Sequence, residues 1–333
     1  MCSTPPGSPP IPRDLHEGIP SASWKEIQNE IKAVGTAHDV VRRRYLNALS
    51  DLTGRNTIVY YSGWQQFRDE RLAFCGIDDS DKHGIMTAVH GLDRGKGLDL
   101  ILYTPGGDVA ATESLIEYLR EMFGTDIRAV VPHLSMSGGT MIALACREVI
   151  MGKHSRIGPV DPQVGGYSAH GVLEEFDRAY REVKEDPARV VVWQPIIAKY
   201  PPTLIGECEK AMAWAREIVK ESLVSGMFKG KKDAAKRAER VIKTLASHAE
   251  TKSHARHISF KKAQNLGINV RALEADQRLQ DAVLSVHHAC IQSITATSSF
   301  KLIENQDGIA FVSRGTISEG PTRDGPSETH SEP

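Results

Sequence analysis

Cysteine is scarce in this chain and widely scattered: Cys2, Cys75, Cys146, Cys208 and Cys290 stand 62 to 82 residues apart with no CxxC pair. That spacing offers neither a zinc ribbon nor a disulfide framework, and reduced thiols fit a cytosolic protein. Long apolar runs are missing too. No stretch approaches the ~18 uninterrupted apolar residues of a membrane-spanning helix, and the first twenty residues, MCSTPPGSPPIPRDLHEGIP, hold no apolar core of a secretion signal. The sequence therefore predicts no membrane span and a cytoplasmic location. Charge of one sign is not in excess either: 41 Lys+Arg against 42 Asp+Glu leave a net charge of −1. A strong electrostatic grip on nucleic acid or on an anionic membrane is thereby excluded. The densest basic run, Lys229 to Lys243, is interrupted by Asp233 and Glu239 and reads as a solvated helix face. None of the Gly-Lys pairs at 95–96, 152–153 and 230–231 completes a GxxxxGK[ST] loop, so no nucleotide cofactor is expected.

What is present is an ordinary globular composition, 40% hydrophobic and 25% charged, over 333 residues. That length exceeds the ~250 residues at which one core stops growing, so one large domain with appendages or two domains is expected. Residues 1–22 are proline-rich and residues 313–333 contain almost nothing apolar, so both read as disordered tails. Ser23 can cap a helix in which Trp24, Ile27, Ile31 and Val34 fall at helical spacing, predicting an N-terminal helix over 23–54 that ends at Gly54. A strand at 57–61 opens a core over 55–272. There, strand patterns at 98–103, 127–132 and 148–151 alternate with helical patterns at 110–122 and 139–146, the signature of an α/β fold. Helical patterns follow at 202–227 and 231–246, with a short helix ending at Gly267 before a strand. A further helix at 274–297 is assigned to a C-terminal helical extension over 273–312.

Two of the strands run into glycine pairs: Thr104-Pro105-Gly106-Gly107-Asp108 and His133-Leu134-Ser135-Met136-Ser137-Gly138-Gly139-Thr140. Glycines there let the backbone approach a ligand and leave free N–H groups at a helix N-terminus, where developing negative charge is stabilised. Two such loops together make an oxyanion hole; taken singly, each is also a tight packing turn. Ser137 stands at a strand-to-helix junction, where an elbow would expose a nucleophile, with Ser135 as the alternative. The pattern is Ser-x-Ser-Gly-Gly rather than Gly-x-Ser-x-Gly, which does not indicate an α/β-hydrolase. The pair His254 and His257, and the group His287, His288 and Cys290, lack the close Cys/His spacing of structural zinc sites, and no metal is expected.

The ordered set TPGG at 104–107, VPHLSMSGGTMIALA at 131–145 and IGPVDPQ at 157–163 resembles the serine dehydrogenase proteinase family, and RHISFKKAQNLGINV at 256–270 resembles a late segment of the wider Clp/crotonase superfamily. The family's relatives are the Clp proteolytic subunit and signal peptide peptidase A, and the likeness covers roughly residues 55–312. The resemblance implies an α/β Clp/crotonase fold, repeated ββα units forming a spiral, with added N- and C-terminal helices. It implies Ser137 as nucleophile, the N–H groups of Gly107 and Gly138 as oxyanion donors, and Gly106, Gly139 and Asp161 in substrate binding. For Asp161, which precedes Pro162, a turn-forming role is the alternative.

A serine hydroxyl also needs a base within hydrogen-bond reach. The Clp subunit uses a histidine about two dozen residues beyond the serine, but residues 158–163 here contain none. Signal peptide peptidases use a lysine farther along, and Lys199, 62 residues beyond Ser137, occupies a similar place. Its apolar flanks, Pro195-Ile196-Ile197-Ala198 and Tyr200-Pro201-Pro202, offer the partial desolvation that suits a general base, although such a lysine also snorkels. Lys153, Lys184 and His254 are the other candidates, and Tyr200 is either a residue that orients the amine or a packing tyrosine. The function expected is a serine peptidase acting on peptide or protein substrates, without cofactor or metal. A homo-oligomer formed through the 204–227 and 274–297 helices is expected, with an unfoldase or adaptor partner left open. The rival readings are a crotonase-like acyl-thioester enzyme and a non-catalytic oligomeric scaffold that binds peptides.

Overall fold

A computed structural model describes residues 23–34, 38–245 and 257–315; the expected tail 1–22, His254 and residues 316–333 lie outside the described residues. Strands β1 (Asn56–Ser62) and β2 (Leu98–Tyr103) are buried along their whole length, as strands covered on both faces must be. With β3 (Ile127–Val131), β5 (Glu148–Met151) and β10 (Val270–Ala272) they form the parallel part of a seven-stranded sheet that β11 (Ser299–Asn305) and β12 (Ala310–Arg314) complete, in the order β10-β5-β3-β2-β1-β11-β12. The order and the parallel pairings establish a mixed α/β architecture with a mostly parallel central sheet.

Alternation along the strands divides the core in two. Ile58, Tyr60, Leu100, Leu102, Ala129 and Val131 face α3 (Ser80–Val89), α4 (Val109–Phe123), α5 (Gly138–Ala145), α8 (Leu204–Ser225) and α9 (Ala234–Leu245). Val59, Tyr61, Ile101, Tyr103 and Val130 face α1 (Trp24–Val34), α2 (His38–Thr53) and the helix Gln277–Ala296. Helix α4 starts where Asp108 accepts a hydrogen bond from the Ala111 N–H at 2.8 Å and stops at Gly124, whose φ of +59° ends it.

The ends of the chain differ from expectation. The N-terminal stretch holds two helices, α1 and α2, rather than one. The stretch expected as a C-terminal helical extension holds the helix Gln277–Ala296 but continues into β11 (Ser299–Asn305) and β12 (Ala310–Arg314). These two add to the sheet antiparallel, β11 against β1 and β12 against β11, so Ser313 and Arg314 belong to a strand and not to a tail. Their exposed and buried faces do not alternate in polarity, because β11 buries Lys301 and Glu304 together with Leu302 and Ile303.

Short strands carry the loops above the sheet: β4 (Leu134–Ser135), β6 (Arg156–Ile157) and β9 (Ile258–Ser259) pair with one another, and β7 (Gln163–Val164) pairs with β8 (Tyr167–Ser168). Helices α6 (Ala169–Glu185) and α7 (Val190–Ile197) then form an excursion with its own small core, in which Ala169, Val172, Leu204 and Cys208 meet Phe176 and Tyr200.

Candidate active site

The two glycine loops meet. The Thr104 N–H donates to the Leu134 carbonyl at 3.1 Å and the Met136 N–H donates to the Thr104 carbonyl at 3.0 Å, tying the end of β2 to β4. The Thr140 hydroxyl donates to the Ser135 carbonyl at 2.8 Å and accepts from the Gly158 N–H at 2.9 Å, which draws the Gly158-Pro159-Val160 loop into the same frame. A Cβ on Gly106, whose φ is +91°, would stand 2.5 Å from the Ser137 Cβ and 2.7 Å from the Gly138 nitrogen. One on Gly139 would collide with the Thr104 Cγ2 of the other loop and stand 2.6 Å from the Ser135 Oγ. Both glycines are therefore required for contact between the loops.

Ser137 holds a φ of 48° and a ψ of −115°, and among the described residues it is the one non-glycine with positive φ. That conformation costs on the order of 1–3 kcal/mol and has to be held by its surroundings. A serine entering a helix ordinarily turns its hydroxyl back onto the N-terminal amides, but Ser137 makes no such cap. Its partly exposed side chain is left facing outward, as on a nucleophile elbow. Ser135, the alternative, is fully buried.

Beside Ser137 lie two backbone amides with no acceptor among the described residues, those of Gly107 and Gly138. Gly138 is the first residue of α5, where an amide has no intrahelical partner. A Cβ on Gly138 would stand 3.5 Å from the Gly107 nitrogen, so the two donors are neighbours. Each lies at the positive end of a helix, α4 or α5. A partly exposed hydroxyl next to two such amides is an arrangement able to receive a carbonyl and hold the negative charge that develops on its oxygen.

The other sequence-predicted residues are placed differently. Lys199 is exposed just past the end of α7, and among the described residues no hydrogen bond joins it to Ser137. Its excursion is open: Val190, Val191 and Val192 are 46%, 75% and 61% exposed, so one chain does not supply the partial desolvation expected from the apolar flanks. Lys153 and Lys184 are exposed as well. Tyr200 packs against Tyr167 and Phe176, with ring centroids 5.8 Å and 5.3 Å away. Asp161 is buried and holds the start of α6, accepting from the Ser168 hydroxyl at 2.6 Å and from the His170 N–H at 3.3 Å.

His133, four residues before Ser137, was not singled out by sequence reasoning, although it stands within the quoted motif. Its ring stacks on Tyr103 at 5.9 Å and meets His287 at 6.0 Å. Burial, followed by the neighbouring His154, His257 and Arg156, holds its pKa below that of a free imidazole. Among the described residues no group of three or more His, Cys, Asp or Glu side chains is placed to hold a metal ion.

Residues 67–279, which include both glycine loops and Ser137, match the family model of the ClpP-like SDH-type serine proteinases. The chain belongs to this family. It is also 32% identical over 211 residues to Uncharacterized protein MJ1495 of Methanocaldococcus jannaschii, covering 61% of this chain and 64% of the relative. To Uncharacterized protein MJ0137 of the same organism it is 36% identical over 118 residues, covering 35% of this chain and 40% of the relative. The chain thus spans less than two thirds of either relative's length. The family description indicates a serine proteinase. Among the described residues no helix is long and apolar enough to cross a membrane.

Proposed function

We propose that this protein is a serine peptidase in which Ser137 attacks the peptide carbonyl and the Gly107 and Gly138 N–H groups hold the tetrahedral oxyanion. The observation that carries this reading is the positive φ of Ser137 beside two amides without acceptors among the described residues. Lys199 is the proposed base: it takes the Ser137 proton, returns it to the leaving amine, and later activates the water that hydrolyses the acyl-enzyme. Because Lys199 is exposed in one chain, the reading includes a homo-oligomer that covers α7 and completes the dyad. Asp161 serves the substrate loop by fixing the turn before α6. A cytoplasmic location, a spiral of ββα units and an unfoldase or adaptor partner belong to the same proposal.

The test is mass spectrometry of new peptide termini after incubating a mixed peptide library with wild type, Ser137→Ala and Lys199→Ala. New termini from wild type alone support the Ser-Lys peptidase. Cleavage retained by Ser137→Ala overturns the nucleophile, and cleavage retained by Lys199→Ala overturns the base. The exposure of Lys199 favours one second reading, a scaffold that binds peptides without cleaving them; binding of library peptides with no new termini would establish it. Binding of acyl-CoA instead would move the protein to the crotonase-like class.

A further inference from the structure

Lys301, on β11, lies outside the family-matched residues 67–279 and is 1% exposed. A lysine so enclosed has to be neutralised and its donors filled. Its Nζ donates to the Gly76 carbonyl at 2.8 Å, to Asp78 Oδ2 at 2.9 Å and to the buried Asp81 carboxylate at 3.0 Å. Asp81 is fixed in turn, accepting from the Tyr60 hydroxyl at 2.7 Å and from the Asp78 N–H at 3.0 Å. Two of the three acceptors on Lys301, Gly76 and Asp78, flank Ile77.

Ile77 pairs with the first glycine loop: its N–H donates to the Gly106 carbonyl at 2.8 Å, and its carbonyl accepts from the Asp108 N–H at 2.9 Å. The Gly106 carbonyl and the Gly107 N–H belong to one planar trans peptide group and point in opposite directions. Holding the carbonyl on Ile77 therefore aims the Gly107 N–H away from Ile77. The approach is close enough that a Cβ on Gly107 would collide with the Ile77 backbone. The Ile77 Cδ1 lies 3.3 Å from the position of a Cβ on Gly138, so this one residue borders both glycines whose amides have no acceptor among the described residues.

We propose that Lys301 is a positioning residue for the oxyanion hole: it clamps Gly76 and Asp78, and Ile77 between them fixes the peptide plane that aims the Gly107 N–H beside Ser137. This rests on the reading of Ser137 as nucleophile. Lys301 touches no reacting atom. An apolar side chain at this position would fill the space but aim no bond at Gly76 or Asp78, so a charge is kept in the core in exchange for direction.

The experiment uses the full chain and a fluorophosphonate probe. The probe forms a bond from Ser137 Oγ to phosphorus as the P–F bond breaks; fluoride leaves and the hydroxyl proton passes to the base. Saturation kinetics give a maximal labelling rate and an apparent affinity for wild type, Lys301→Met, Asp78→Ala and a control, Arg42→Met. The control breaks the other buried ion pair of β11, with Glu304. The expected result is a labelling rate reduced ~10-fold or more in Lys301→Met and Asp78→Ala, since losing one oxyanion donor costs ~10²–10³, with apparent affinity unchanged. Arg42→Met is expected to lose thermal stability while labelling at the wild-type rate. If Lys301→Met fails to fold by circular dichroism, Asp78→Ala decides, because the Asp78 side chain is half exposed and its removal leaves Asp81 on Lys301. A folded Asp78→Ala labelled within about twofold of wild type overturns the proposal, as does an equal loss in Arg42→Met. Absence of labelling in wild type, or labelling that persists in Ser137→Ala, identifies a different failure: the serine reading itself falls, and the role of Lys301 with it.

Discussion

Gly106 and Ser137 are in contact through the space a side chain would fill: a Cβ on Gly106 would stand 2.5 Å from that of Ser137. Gly106→Ala must therefore displace the serine elbow, and it also places a Cβ on a backbone with φ of +91°. We expect a loss of at least ~1 kcal/mol of stability, the minimum for alanine where φ is positive, and loss of Ser137 labelling by a fluorophosphonate. Thermal melting and probe kinetics on one sample check both.

Strain at Ser137 has an opposite consequence. Ser137→Gly relieves the positive φ, worth ~1–3 kcal/mol, against an entropic cost of ~0.5–1 kcal/mol for the glycine. The variant is expected to be inactive yet no less stable than wild type in urea. A clear fall in its urea midpoint would show that the conformation at 137 is not strained.

The histidine group next to the site makes stability depend on pH. Burial, reinforced by His288, His133 and His154, pushes the His287 pKa from 6.5 down to about 3. The folded state thus binds fewer protons than the unfolded state between those values. Stability is complete above pH 6.5 and declines as pH falls toward 3, by up to about 1.4 kcal/mol per pH unit for one such group. The Tyr61 hydroxyl lies 3.0 Å from His287 Nδ1, so His287→Gln keeps a polar partner while removing the titration. Urea midpoints at pH 7.5 and pH 5 should differ less for the variant than for wild type.

Arg42 closes the opposite side of β11. Its Nε lies 2.5 Å from Glu304 Oε2 and its Nη1 donates to the Ser293 hydroxyl at 2.9 Å, all in the interior. Breaking a buried pair costs ~3–5 kcal/mol, but Arg43 still reaches Glu304 at 2.6 Å. Arg42→Met is therefore expected at the lower end of that range, measured by urea denaturation.

Local pattern sufficed for much of this molecule. Leu98–Tyr103 and Glu148–Met151 are apolar runs that form strands with the expected bounds, and the helix after Asp108 begins at a residue able to cap it. Gly267 ends its helix in the left-handed conformation that glycine adopts freely. The meeting of TPGG with SMSGG was legible through the family resemblance, since a glycine pair after a strand is by itself also a tight packing turn. Helix α3 and strand β11 were not legible. Asp81 and Gly84 interrupt the apolar face of α3, and Gly84 is there because Ile303 and Phe311 press against it.

By itself, then, the sequence determined the α/β class, the strands at 98–103 and 148–151 and the two loops, because each depends on the spacing of residues near one another in the chain. Tertiary structure alone decided the rest. Ser137 and Ser135 share a motif, and only the backbone turn at 137 and the burial of 135 separate them. Asp161 found its partners at the start of α6, in Ser168 and His170, whereas Lys199 was left exposed. Nothing near Lys301 and Glu304 in the chain marks them as buried; the fold brings them to Asp81, 220 positions away, and to Arg42, 262 positions away. A charge can enter the core only when an opposite one arrives there, and that depends on how the whole chain returns upon itself.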